Sequence, residues 1–233
     1  MKCEFSKIEE FFLALNQANI NYLVLRNYEN LLEPELYVSG HGDIDLLCDD
    51  AQSIARLVEA QPKAPKSTRL QDDGIHYLIF VDGSPVQLDL RQVGDGYYCT
   101  KWEKDLLERK VKYDCFYVMN PVDYFYTLAY HAILQKRSLS DEYHARLNQM
   151  SKDLNLQVGP QDESGFINML EKHMREKGYR FSYSSDYMVP NRFHLVDSKL
   201  IDKNYNLMLK HCLFDTKVSV LQGLVNLKHA IKN

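Results

Sequence analysis

Long apolar runs are missing from this sequence of 233 residues. No window of about 18 consecutive apolar residues occurs, so no membrane span is expected. The first fifteen residues, MKCEFSKIEEFFLAL, carry acids inside their apolar stretch. They read as an amphipathic helix and not as a secretory leader. Paired cysteines are missing too: Cys3, Cys48, Cys99, Cys115 and Cys212 are scattered and form no CxxC. Free thiols in a reducing cytoplasm are the expectation. Positive charge is not in excess, since 28 Lys and Arg stand against 32 Asp and Glu. That balance argues against stable nucleic-acid binding. There is no internal repeat and no low-complexity tract. What remains, 45% apolar and 26% charged residues, is the composition of a soluble globular chain able to bury a core.

Hydrophobic periodicity then divides the chain. Ser6 and Glu9 have capping-box spacing ahead of Ile8, Phe11, Phe12 and Leu15, which predicts a helix over 7–18. NYLVLRN predicts a strand, and YENLLEPELYVSGHG a loop broken by Pro34, Gly40 and Gly42. DIDLLC predicts a second strand, followed by a helix capped by Asp50 with Ile54, Leu57 and Val58 as its buried stripe. IHYLIFV and VQLDL flank an Asp82-Gly83 turn and predict a hairpin. A short helix (KWEKDLLERKV) and an apolar strand (CFYVM) complete a mixed α+β half. From Asn120 and Pro121 onward the pattern is helical, with an N-cap and a proline at the first helical position. Val122, Phe125, Leu128, Ala129, Ala132 and Ile133 supply one apolar face of the first of these helices. Others are expected over 140–153, over 162–177 before Gly178, and over 217–231. The Tyr-rich stretch 179–193 reads as an ordered irregular loop. Two regions follow: a mixed domain over 1–119 and a helical domain over 120–233.

Within SGHGDIDLLCDD, Asp43 and Asp45 crowd the start of a strand, although like charges repel and strands are poor in aspartate. Strand alternation puts both on one face, with Ile44 and Leu46 on the other. In VQLDLR it puts Gln87, Asp89 and Arg91 on one face. If the two strands are neighbours, three carboxylates converge and require positive charge among them. Mg²⁺, or Mn²⁺, is a hard cation that accepts a few carboxylates, keeps waters and bridges to phosphate oxygens. Arg91 is a candidate ion partner for one of these acids. Arg26 offers a planar fork for phosphate. His131 and Lys136 lie in AYHAILQK, His131 reading as a hydrogen-bonded core histidine and Lys136 as a base able to reach phosphate.

The order of elements, with D-x-D on a strand and a third Asp on the following hairpin, resembles the nucleotidyltransferase superfamily typified by DNA polymerase beta. YLVLRNYENL…HGDIDLL…VQLDLRQVGDGYY…NPVDYFYTLAYHAILQK is similar to a bacterial group within it that is linked to surface-polysaccharide synthesis. The likeness covers roughly residues 1–150. It implies a small mixed sheet flanked by helices and followed by a helical domain. It also implies a Mg²⁺-dependent enzyme passing a nucleoside monophosphate from an NTP to a hydroxyl or phosphate of a small-molecule or glycan acceptor. Asp43, Asp45 and Asp89 match the metal-binding and catalytic acids. Arg26, Asn27, Gly40, Gly42 and Lys136 are the positions expected to meet the nucleotide. One departure stands out: members carry Gly-Gly or Gly-Ser after the first strand, where this chain has Arg26-Asn27-Tyr28. Three other readings therefore stay open. They are transfer of a phospho-alcohol from a CDP-activated donor by a LicD-like enzyme, a non-catalytic nucleotide-binding member, and protein nucleotidylation.

Overall fold

The structure, a computed structural model, describes residues 4–33, 43–63, 74–156, 162–214 and 216. It is of the α+β class expected. Strands β1 (Glu4–Phe5), β2 (Tyr22–Val24), β3 (Asp43–Cys48), β4 (Gln61–Pro62), β5 (His76–Val81), β6 (Ser84–Gln92), β7 (Val111–Tyr113) and β8 (Phe116–Val118) form one mixed sheet. Their order is β1-β5-β6-β3-β2-β8-β7, with β4 added outside β5. The helices are α1 (Ile8–Gln17), α2 (Ala51–Leu57), α3 (Thr100–Glu108), α4 (Pro121–Leu134), α5 (Asp141–Asp153) and α6 (Glu163–Lys177). A further helical stretch covers 205–214.

Strand alternation sorts the sheet into two faces. Tyr22, Val24, Ile44, Leu46, Cys48, Leu88 and Leu90 pack with Phe11, Phe12 and Leu15 of α1 and Ile54 of α2. Leu23, Leu25 and Leu47 point the other way and join α4, α6 and the aromatic cluster around Trp102. The second core crosses residue 120, drawing on both Leu23 and Leu170. The β5–β6 hairpin turns at Asp82 and Gly83, both with positive φ (46° and 72°), as a two-residue turn of right-handed twist requires. Asp50 caps α2 by accepting from Gln52 N and Ser53 N. Asn120 caps α4 in the same way, through Val122 N and Asp123 N, with Pro121 in the first turn.

Local details differ from the sequence reading. Ser6 is bound by Glu10, not Glu9: Glu10 Oε2 accepts from Ser6 N at 2.8 Å and Oε1 from its hydroxyl at 2.6 Å. The helix starts at Ile8 with Lys7 in the cap position, one residue later than expected, so i+4 geometry replaces the capping box. Leu57 is exposed while Ile54 and Val58 are buried. Helix α4 does not bury a single face. Eleven of its residues, from Asp123 to Leu134 with Tyr126 excepted, are buried, whereas Val122 is exposed in the first turn. The reason is position, since α4 packs on α5 and α6 as well as on the aromatic core. The stretch after Gly178 is irregular, as expected, apart from a bridge at Phe181 and 3-10 turns at Phe193–Leu195 and Ser198–Leu200. The helix expected over 217–231, along with Gly40, His41 and Gly42, lies outside the described residues.

Candidate functional site

Strands β3 and β6 are parallel neighbours, and their register pairs Asp45 with Asp89 and Asp43 with Gln87. D-x-D and Q-x-D at matching phase thus bring two of the three expected carboxylates, Asp45 and Asp89, opposite each other, while Asp43 falls opposite an amide. Asp45 and Asp89 are 7% and 8% exposed, while Asp43 lies exposed at the strand entry. Burial, and then the charge of Asp45, push the Asp89 carboxyl above the usual range; Asp43, solvent-exposed but partly desolvated by the chain around it, shifts the same way from desolvation and then the same charge. Arg26 and Lys136 pull Asp43 the other way, which places both cations within electrostatic range of it.

Each buried acid has its own partner. Arg26 Nη2 lies 2.8 Å from Asp45 Oδ2. Gln87 Nε2 donates to Asp89 Oδ1 at 3.0 Å, and His76 Nε2 stands 3.9 Å from Asp89 Oδ2. Lys63, the residue after β4, donates to Gln87 Oε1. Arg26, expected at a ligand, is thus brought to the carboxylates. Asn27 is not: it adopts φ 53°, and its Oδ1 accepts from Arg146 Nη1 at 3.1 Å. Arg91 does not pair with the acids of its own sheet, as expected of it, but with Asp186, at 2.8 Å.

Tyr97 was not singled out by sequence reasoning, yet it organises the site. The turn after β6, VGDGYY, is pinned by two carboxylates. Asp95 accepts from Gln92 N and Tyr97 N, and Glu103 accepts from Gly94 N and Tyr98 N. Gly94 and Gly96 have φ of 95° and 78°. The reversal carries Tyr97 back over the sheet, where Arg26 Nη1 donates to its hydroxyl at 2.5 Å and Arg91 lies 4.5 Å above its ring. The GDG spacing was the available signal, because glycine-flanked turns return the chain on itself. The loop 180–192 closes over this turn. Ser185 N donates to Asp95 O, and a Cβ on Gly96 would stand 2.3 Å from Tyr183 O.

The end of α4 supplies the far wall. His131 is buried, with Nδ1 3.2 Å from the Tyr97 hydroxyl and 3.2 Å from Gln135 Oε1. Gln135 Nε2 donates to Tyr97 O at 3.0 Å. Burial, then the charges of Arg26 and Lys136, hold His131 well below the usual histidine range. Lys136 is exposed just past the helix.

Among the described residues no group of three or more His, Cys, Asp or Glu side chains is placed to hold a metal ion. The Asp45–Asp89 pair still suits Mg²⁺, which needs only one or two carboxylates when waters and phosphate oxygens complete its shell. No protein-family model matches the chain, and no curated protein matches it either. None of the helices among the described residues is long and apolar enough to cross a membrane.

Proposed function

We propose that the chain is a divalent-cation-dependent nucleotidyltransferase of the DNA polymerase beta type, acting on a hydroxyl or phosphate acceptor of a sugar, polyol or glycan. The observation that carries this reading is the register pairing of Asp45 with Asp89 on parallel strands, beside a guanidinium. Like charges are placed opposite each other in a sheet only at a cost, and a cation shared with substrate phosphate offsets it. Asp45 and Asp89 would hold Mg²⁺ or Mn²⁺, with Asp43 at the entry. The bound ion would neutralise charge on the phosphoryl group and its leaving group. Asp89 would orient the acceptor hydroxyl, and Arg26 and Lys136 would contact phosphate oxygens.

A second reading, transfer of a phospho-alcohol from a CDP-activated donor, is favoured by the segment after β2. Asn27 takes the left-handed conformation that suits a glycine. Tyr28 packs against Tyr113 and Tyr124 at ring distances of 5.1 Å. That segment is a packed turn with its side chains engaged, a poor grip for a triphosphate.

Thermal unfolding with each NTP and with CDP-choline, CDP-glycerol and CDP-ribitol, with and without Mg²⁺ or Mn²⁺, separates the two, because a ligand raises Tm by mass action. A metal-dependent shift by one NTP supports the first reading, and a shift only by a CDP-alcohol supports the second. Asp45→Asn should fold and lose the metal-dependent part of the shift. If no nucleotide shifts the wild type with metal present, transferase function is refuted.

A further inference from the structure

Arg26 is attached at two points of different kinds. Nη1 donates to the Tyr97 hydroxyl at 2.5 Å, and Nη2 meets Asp45 Oδ2 at 2.8 Å. The first attachment is rigid. Tyr97 is held by the Asp95 carboxylate at its N–H, by Gln135 at its carbonyl and by His131 beside its hydroxyl. The second is exchangeable in principle, because Asp45 also faces Asp89 and any cation competes for it. Among the described residues, Arg26 is the cation in salt-bridge contact with Asp45.

We propose that Arg26 keeps Asp45 closed to a bare divalent ion and admits one only when a phosphate arrives with it. This rests on the reading of Asp45 and Asp89 as cation ligands. A lone metal that displaced Nη2 would take from a buried guanidinium its carboxylate partner at 2.8 Å and leave only the exposed Asp43 within electrostatic range, which is unfavourable. A phosphate oxygen relieves that cost by accepting from Nη2, and guanidinium–phosphate pairs are strong. Arg26 pivots about its Tyr97 bond and does not leave the site. The site then selects a metal–phosphate complex over either component alone.

The test uses Mn²⁺, followed by loss of the free-ion EPR signal, and thermal unfolding with Mn²⁺, inorganic pyrophosphate or both. Wild type should ignore Mn²⁺ alone and gain Tm with Mn²⁺ plus pyrophosphate. Arg26→Met should bind Mn²⁺ alone about tenfold or more tightly than wild type, the scale on which one nearby charge acts. It should gain less from pyrophosphate than wild type does, since only Lys136 and the ion remain to meet phosphate. Arg26→Lys, which keeps a charge but not the fork, should fall between, and it serves if the Met variant does not fold. Equal Mn²⁺ affinity in wild type and Arg26 variants overturns the proposal. If Asp45→Asn still abolishes that binding, the carboxylate reading survives and only the role of Arg26 falls. If neither wild type nor any variant binds Mn²⁺, with or without pyrophosphate, the carboxylate reading falls and takes this proposal with it.

Discussion

Gly96 shows how one residue can hold the site together without touching ligand. Its φ of 78° is left-handed, and the position of a Cβ there is taken by Tyr183 O at 2.3 Å, a backbone atom that cannot swing away. Gly96→Ala should therefore destabilise the chain by about 2–4 kcal/mol, read as a fall in the urea midpoint at constant m. It should also loosen Tyr97, the next residue, and with it the anchor of Arg26. A midpoint within error of wild type would mean that loop 180–192 does not seat on this turn. At this scale the sequence disclosed the acids but not their partners. Asp43, Asp45 and Asp89 were readable because a strand has period two and only the pairing of strands remained open. Asp186 was not readable as the partner of Arg91, because 95 residues separate them and no local pattern links them. The Tyr97–His131–Gln135 ring is hidden for the same reason.

Among elements, α4 is the one that carries the far wall of the site to the sheet. Its start is set by chemistry that sequence displays openly, with Asn120 accepting from Val122 N and Asp123 N. Asn120→Ala should cost about 0.5–2 kcal/mol, the usual range for a lost N-cap, measured by chemical denaturation. A loss well below that would place the α4 start under tertiary control alone. Its buried face was less legible, because a helix surrounded on several sides has no single stripe and periodicity is silent there. The hairpin, α1 to α6 and β3 were legible from caps, turns and runs of adequate length. Strands β1, β4 and β7, of two or three residues each, were not. Such segments are too short to show a period, and they exist as strands only because a neighbour offers a free edge.

Across the whole molecule, the turn that presents Tyr97 rests on two acids that repel each other, and this couples stability to pH. Glu103 is fully buried, and burial followed by the charge of Asp95 moves its carboxyl from the usual 4.5 up to about 8. The folded chain thus keeps a proton that the unfolded chain releases above 4.5. Stability from this source is full below 4.5, declines as pH rises, and is gone beyond about 8. Burial raises Asp43, Asp89 and Asp95 in the same direction, so they add to the decline. The buried histidines oppose it at lower pH. His173 moves from 6.5 to about 4, and His131 is lowered as well, so the unfolded chain binds more protons there and stability rises until pH passes 6.5. Above 6.5 the histidine contribution levels off, while the Glu103 carboxyl keeps its folded-state proton up to about 8. In that window unfolding free energy should fall, by at most about 1.4 kcal/mol per pH unit for the single proton on Glu103. Glu103→Gln is neutral at every pH and mimics the protonated acid, so its curve should be flatter and should cross above the wild type as pH rises. Parallel curves for the two chains between 6.5 and 8 would show that Glu103 does not hold its proton in the folded state, and that the Gly94–Tyr98 turn is pinned by two full charges.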